Sequence, residues 1–526
     1  MWARTTEVGE TTDNPAPRLP ASTPRWSWLT AHPLVLLTVL LWTASLVICY
    51  ALLATPVSGD NLGLMKITES YGALERVALW QQTFSWLPGG HSSGTFVNWP
   101  KPVVAWSFRI GLATMFALQA FAFALAWRAR PECPQIWLAG PVGAHIIMIL
   151  MVPSNADVFF YAITGDLANA GFNPYETPLY SVAEHPLYPY NHWIDMVSVY
   201  GPVWTLISQG VTWITGGDPA SAIIGFKVLF GVTAIAVAAS VYGVARMIGA
   251  GPGLATAAMV LVAWQPNMIV ESSGQAHNDV VMVALVLAAI SLTIAGGLAG
   301  VRGGMAVGTL SAGVKYVSLP ILGLIAITRL GNLRRTGSWR MLAAAWALDL
   351  LAVSATTIAV FGPYWTGPSM LAEMLSEPGR LYSHPLWHGL SSAVGVADED
   401  AARSFERATR LGTQSMTTMV ILAIIVGFGV IVWRTAPGAD PMLESVPVWT
   451  GPLLAGWAVM FLVLAYIPVN THAWYWTWPV VPVALVVAWQ ARDSASPRWP
   501  MQRWLVAYLV LNAVLTLVYH TRIVHS

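Results

Sequence analysis

Charge is what this chain has least of. Of its 526 residues, 10% are Asp, Glu, Lys or Arg, against about a quarter in an ordinary soluble domain, which excludes a soluble globular protein. Acids and bases nearly cancel to a net charge of +1, so the chain lacks the basic surface that a nucleic-acid partner needs. Cysteine is nearly missing too. Cys49 lies in the first long apolar run and Cys133 in a short polar link expected on the opposite side of the membrane. Neither a disulfide framework nor a thiolate metal site is therefore available. The first 30 residues are polar, rich in Pro, Thr and Arg, and have no early apolar core, so they do not read as a cleavable signal peptide. No repeat of about 20–50 residues and no inverted pair of hydropathy halves is visible.

What is abundant is apolar sequence: 56% of residues are hydrophobic, and 27 tryptophans suit a protein with two water–lipid boundaries to line. Apolar runs able to cross roughly 30 Å of hydrocarbon recur through the chain. They fall at 33–54, 103–127, 135–152, 221–245, 254–270, 280–299, 304–316, 317–329, 342–361, 413–433, 448–467, 474–490 and 502–519. The pattern predicts an all-α integral membrane protein with about 13 transmembrane helices and large extracytoplasmic loops. The seventh and eighth runs are too short to cross and read as paired half-depth helices or one re-entrant hairpin. Residues 1–30 read as a disordered cytoplasmic tail, 31–130 as two N-terminal spans with their outer loop, and 131–526 as the core.

Orientation follows from where short loops carry arginine. Arg128, Arg130, Arg246, Arg302, Arg329, Arg334, Arg335, Arg340, Arg434, Arg492, Arg498 and Arg503 can all be cytoplasmic at once. Loops 55–102, 153–220, 271–279, an apex at Lys315, 362–412 and 468–473 then face outward. This requires Tyr200–Thr215 to be an amphipathic helix in the outer interface rather than a span. The charged stretch Glu399–Arg410 reads as a solvated amphipathic helix leading into the next span.

The loop at 153–220 carries no Lys or Arg but holds Asp157, Asp166, Asn173-Pro174-Tyr175-Glu176 and Tyr200-Gly201-Pro202. Carboxylates and tyrosines without cations suit a neutral, hydroxyl-rich substrate. Three further segments end at the same depth: His277-Asn278-Asp279, Lys315-Tyr316, and His472-Ala473-Trp474-Tyr475. Each has a bland alternative. Asp157 and Asp279 can cap helices, and Lys315 can snorkel, although a lysine at such depth is costly and usually functional. Trp474, Trp476 and Trp478 read as interfacial belt, His145 as a packed histidine, and Arg109 as paired with a carboxylate or headgroup. Together, a carboxylate near an acceptor hydroxyl, with a cation and histidines for a departing anion, is the division of labour for transferring a group off a lipid phosphate.

At these motifs the chain resembles membrane glycosyltransferases of the GT-C fold that use polyprenyl-phosphate sugars. The actinobacterial α-1,6-mannosyltransferases that build the lipomannan backbone are the most similar. The matching pieces are Asp157-Val158-Phe159-Phe160-Tyr161 with Gly165, Gly171-Phe172-Asn173-Pro174-Tyr175, Tyr200-Gly201-Pro202, Trp264-Gln265-Pro266-Asn267, Ala276-His277-Asn278-Asp279, the Lys315 segment, Ala408-Thr409-Arg410-Leu411-Gly412 and His472-Ala473-Trp474-Tyr475. The resemblance implies an inverting transfer of mannose from polyprenyl-phosphate-mannose to a mannan or mannosylated lipid at the outer face of the plasma membrane. Asp157 would be the base and Asp279 a second carboxylate. Lys315, His277, His472 and Tyr475 would bind the donor phosphate, and Tyr161, Asn173, Tyr175 and Tyr200 would shape the sugar pocket. It implies no cofactor and no obligatory metal, although Asp157 and Asp279 could share a divalent ion. A different lipid-linked donor, a protein acceptor, or a transporter or flippase remain the alternatives.

Overall fold

The computed structural model describes residues 28–54, 73–90, 99–191, 193–331, 337–368, 370, 390, 399–435, 446–468, 471–492 and 499–525. Most of the expected tail, much of the 362–412 loop, and Arg334, Arg335, Arg498 and Asn470 lie outside these residues. The described chain is helical throughout, with no β-strand among the described residues. The helices are α1 (Trp28–Leu53), α2 (Ala73–Thr83), α3 (Lys101–Ala129), α4 (Gln135–Met148), α5 (Asp157–Asn169), α6 (Pro202–Thr215), α7 (Pro219–Met247), α8 (Pro252–Ala263), α9 (Pro266–Ile269), α10 (Asp279–Ala295), α11 (Gly297–Ala312), α12 (Pro320–Ile327), α13 (Trp339–Phe361), α14 (Glu399–Thr435), α15 (Thr450–Tyr466), α16 (Val480–Ala491) and α17 (Trp499–His525). Six of them, α1, α3, α7, α13, α14 and α17, contain stretches long and apolar enough to cross a membrane, and a bent pair formed by α8 and α9 makes a seventh. This is a multi-pass membrane protein.

Hydrophobic pattern decides depth in the bundle. Helix α8 is apolar on every side and buried from Gly253 to Ala263, as a helix without a polar face must be. Helix α13 buries only Leu342, Asp349 and Val360, leaving Trp346, Leu348, Leu350, Leu351 and Ile358 exposed; a rim of that kind is stable against lipid, not water. Its one buried carboxylate is answered. Asp349 accepts from Arg329 Nε at 2.8 Å and Nη2 at 2.7 Å, with Arg302 Nε 3.9 Å away.

Two details differ from the sequence reading. The sixth and seventh runs meet at Gly296 and Gly297, whose φ values of 86° and 72° are open only to glycine at little cost. The reversal therefore comes earlier than expected, and Arg302 lies inside α11. Trp476 and Trp478, expected in the interfacial belt, are instead buried in the core. Other expectations meet their counterparts. Lys315 is extended between α11 and α12. Helix α6 is short and two-faced, burying Trp204, Thr205, Ser208 and Thr212 while Leu206, Trp213 and Ile214 are exposed. Helix α14 runs unbroken from the charged stretch into the apolar one. His145 is buried, with Nδ1 2.8 Å from Ser273 Oγ.

Three local devices gather the functional segments. Pro266 cannot continue the hydrogen-bond ladder of α8, so the chain bends by 61°, and the Gln265 side chain caps the Met268 amide. A single π-turn, Val270–Gly274, follows, then Ala276 at φ 62°. That conformation costs an alanine roughly 1–2 kcal/mol, and it turns His277 inward. Secondly, Lys227 of α7 is fully buried and donates to the carbonyls of Met148 at 3.3 Å, Met151 at 2.6 Å and Gly274 at 2.5 Å. It thus stitches the end of α4, which leads to Asp157, to the turn that leads to His277. Thirdly, Gly201 lies so close to Gly313 that a Cβ on it would sit 2.1 Å from the Gly313 carbonyl oxygen. This approach brings Tyr200 beside Lys315.

Candidate active site

Asp157 opens α5, yet its side chain does not cap the helix. Asn155 Oδ1 takes the Asp157 amide instead, at 3.0 Å, leaving the carboxylate to other partners. Its Oδ1 accepts from Trp193 Nε1 at 3.3 Å and its Oδ2 from the Tyr200 hydroxyl at 3.3 Å. Placed at a helix N-terminus, the carboxylate also faces the positive end of the helix dipole.

Across Tyr200 lies the cationic half. Lys315 Nζ is 2.8 Å from Asp279 Oδ2 and stands over the rings of Tyr200 at 5.8 Å and Tyr475 at 5.3 Å. Trp478 Nε1 donates to the other Asp279 oxygen at 2.7 Å, and Tyr475 stacks on Trp478 at 4.3 Å. Asp279 is thus matched to Lys315, which holds that ammonium against the aromatic wall. Tyr200 links both halves, its hydroxyl on Asp157 and its ring on Lys315.

The histidines form a third wall. His277, Trp474 and His472 stack in a column, with centroids 3.9 Å and 4.3 Å apart. His277 Nε2 is 3.0 Å from Asn155 Nδ2 and 3.8 Å from Asp157 Oδ2, while its Nδ1 lies 3.2 Å from Glu271 Oε2. His472 Nδ1 is 3.0 Å from the Tyr519 hydroxyl. Burial, then the neighbouring His277 and Lys315, push His472 down to about 3, so it is a neutral imidazole at physiological pH, a hydrogen-bonding group rather than a cation.

Among the remaining expected site residues, Tyr161 is fully buried and its hydroxyl donates to Tyr200 at 3.4 Å. Burial and the Asp157 charge push that phenol well above its usual range, so it stays protonated. Asn173 and Tyr175 are engaged in holding the loop. Asn173 Nδ2 donates to the Tyr364 carbonyl at 3.1 Å, and the Tyr175 hydroxyl bonds the Tyr200 carbonyl at 2.9 Å and Thr205 at 2.8 Å. Tyr175 acts on the site through the backbone of Tyr200, and Asn173 steadies Tyr175 by accepting from its amide at 3.1 Å. Arg109 leans on Trp106 and meets no carboxylate among the described residues. No group of three or more His, Cys, Asp or Glu side chains among the described residues is placed to hold a metal ion.

Sequence reasoning passed over several participants. Trp193 and Trp478 each donate to a site carboxylate. Arg76 of α2, buried, donates to the carbonyls of Tyr190 at 2.8 Å and Ser154 at 3.4 Å, bracing the Asp157 loop from outside the core. Glu271 and His520 lie behind His277. A lone carboxylate or histidine in an apolar run is the signal that marks this last pair.

Known proteins similar to this chain are glycosyltransferases by name. Residues 100–331 match the family described as "Alpha-(1->6)-mannopyranosyltransferase, N-terminal domain". Over 478 residues the chain is 25% identical to "Alpha-(1->6)-mannopyranosyltransferase A" of Mycobacterium tuberculosis, covering 86% of this chain and 82% of that protein. It is 28% identical to the protein of the same name from Corynebacterium glutamicum over 140 residues, 26% of this chain and 28% of that one. The chain is a glycosyltransferase built into a membrane. Its resemblance to the actinobacterial α-1,6-mannosyltransferase family, first read from the motifs, extends over most of its length.

Proposed function

We propose that this protein transfers mannose from polyprenyl-phosphate-mannose to a hydroxyl of a mannan or mannosylated lipid, forming an α-1,6 linkage with inversion. The reaction takes place at the outer face of the plasma membrane, within a topology of about 13 spans and a cytoplasmic N-terminus. Asp157 takes the proton of the attacking hydroxyl. Lys315, steadied by Asp279, and the hydrogen-bonding His472 and Tyr475 receive the charge that grows on the departing phosphate. Tyr200, backed by the buried Tyr161, walls the sugar, whose reacting carbon gains oxocarbenium character that a nearby carboxylate stabilises.

The observation that carries this reading is the Tyr200 bridge. A carboxylate relieved of helix capping and a lysine held by an acid meet on the two sides of one tyrosine. The test is Asp157→Asn in membranes given radiolabelled donor and acceptor. Transfer should fall by about 10²–10⁴-fold, the range of a positioned general base, with donor retention unchanged. Undiminished transfer by a correctly inserted variant would remove Asp157 from the mechanism.

A further inference from the structure

Behind Asp157 runs a line of buried ionisable groups that the proposed transfer does not use. His277 Nε2 lies 3.8 Å from Asp157, His277 Nδ1 lies 3.2 Å from Glu271 Oε2, and Glu271 Oε1 is 3.0 Å from His520 Nε2. Glu271, His277 and His520 are each buried. A carboxylate in such a place is expensive unless its charge is used or paired. Here it lies between two imidazoles delivered by different parts of the chain.

We infer that His277 is the final acceptor of the proton that Asp157 removes, and that Glu271, held by His520, is the positioning residue that makes His277 able to take it. The inference rests on the proposed transfer reaction. Asn155 Nδ2 donates to His277 Nε2 at 3.0 Å, which leaves the ring proton on Nδ1, the nitrogen 3.2 Å from Glu271 Oε2, and makes Nε2, which also faces Asp157, the basic nitrogen. This is the logic by which a carboxylate orients a catalytic imidazole. The resulting imidazolium is stabilised by Glu271 on one side, Asp157 on another and the face of Trp474 above it, a ring that attracts cations. The Lys315 ammonium, which bears on the same column, opposes it, while the neutral His472 on the far side of Trp474 adds no charge.

The atoms balance. The acceptor oxygen forms its bond to the anomeric carbon, and the bond from that carbon to phosphate oxygen breaks with its electron pair on the phosphate. The hydroxyl proton passes to the ionised Asp157 and from Asp157 to His277 Nε2, so one proton leaves the acceptor and one arrives on the imidazole. Asp157 is left ionised for the next turnover, and a singly charged phosphodiester has become a phosphomonoester and a proton stored nearby on His277.

The test uses the full-length enzyme with polyprenyl-phosphate-mannose and a mannoside acceptor. Glu271→Gln should lower kcat by about 10²-fold or more with the donor KM unchanged, and Glu271→Asp should recover part of the loss. The fall of kcat toward acid pH marks His277 already protonated before turnover. It should shift to lower pH in Glu271→Gln, because the imidazolium has lost its nearest anion. A role in packing alone would scale the curve without moving it, and that result, or a change in KM in place of kcat, overturns the inference. Asp157→Asn, run in parallel, separates the levels. Its full activity defeats the transfer reading, whereas its inactivity beside an unshifted Glu271→Gln curve defeats this inference alone.

Discussion

At His472, burial decides charge. An imidazole that titrates near 6.5 in water is held down to about 3, so protonation favours the unfolded chain. The stability that depends on its neutrality is therefore whole above about 6.5 and is lost as pH falls toward 3. His472→Gln should flatten the decline of Tm over that interval, measured by thermal unfolding in detergent. Parallel slopes for variant and parent would clear His472 of any part in acid sensitivity. Single residues were also where the sequence spoke most plainly. Asp157 and Lys315 stand out because an unexplained charge beside an apolar run calls for a purpose. Asp279, Tyr200 and His277 stood out as well, but which of them each charge would meet did not, because partnership is a property of packing. Glu271 and His520 are separated by 249 positions, and nothing short of the folded bundle brings them together. Trp478 was misread for a related reason: a tryptophan beside a polar cluster looks the same in sequence whether it faces headgroups or a buried carboxylate.

Among elements, the consequential joint is where α6 meets the end of α11. Gly201 and Gly313 touch backbone to backbone, with Val203 N bonded to the Gly313 carbonyl at 3.0 Å. Gly201→Ala would force a Cβ into that carbonyl, an overpacking that costs about 1–3 kcal/mol, and would push Tyr200 off both Asp157 and Lys315. The expected outcome is a folded protein with a lowered Tm and transfer reduced by about tenfold or more, since small misplacements of positioned groups cost rate steeply. Unchanged kinetics would mean that Tyr200 need not bridge the halves. Helix existence and order were legible from hydropathy, while the tilt, bend and contact of these helices were not. The 61° bend at Pro266 could be suspected from the proline, but the π-turn after it could not.

For the molecule as a whole, the membrane arrangement can be checked with the two native thiols. Cys49 is buried and Cys133 exposed, in the link between α3 and α4 that the arginine pattern assigns to the cytoplasm. A membrane-impermeant maleimide should label Cys133 in inverted vesicles and leave intact cells unlabelled. In a Cys133→Ser background, Glu176→Cys, exposed in the 153–220 loop, should show the opposite behaviour. Labelling of Cys133 from outside would invert the topology.

Arg76 carries a consequence for how such proteins are recombined. It belongs to α2, ahead of residue 100 where the family match begins, yet its guanidinium clasps the Ser154 and Tyr190 carbonyls on either side of α5. The matched segment is therefore not a free-standing cassette. A chimera spliced at that junction would bring in a foreign brace or none, so productive crossovers between relatives should fall upstream of α2, where the bracing helix travels with the loop it supports.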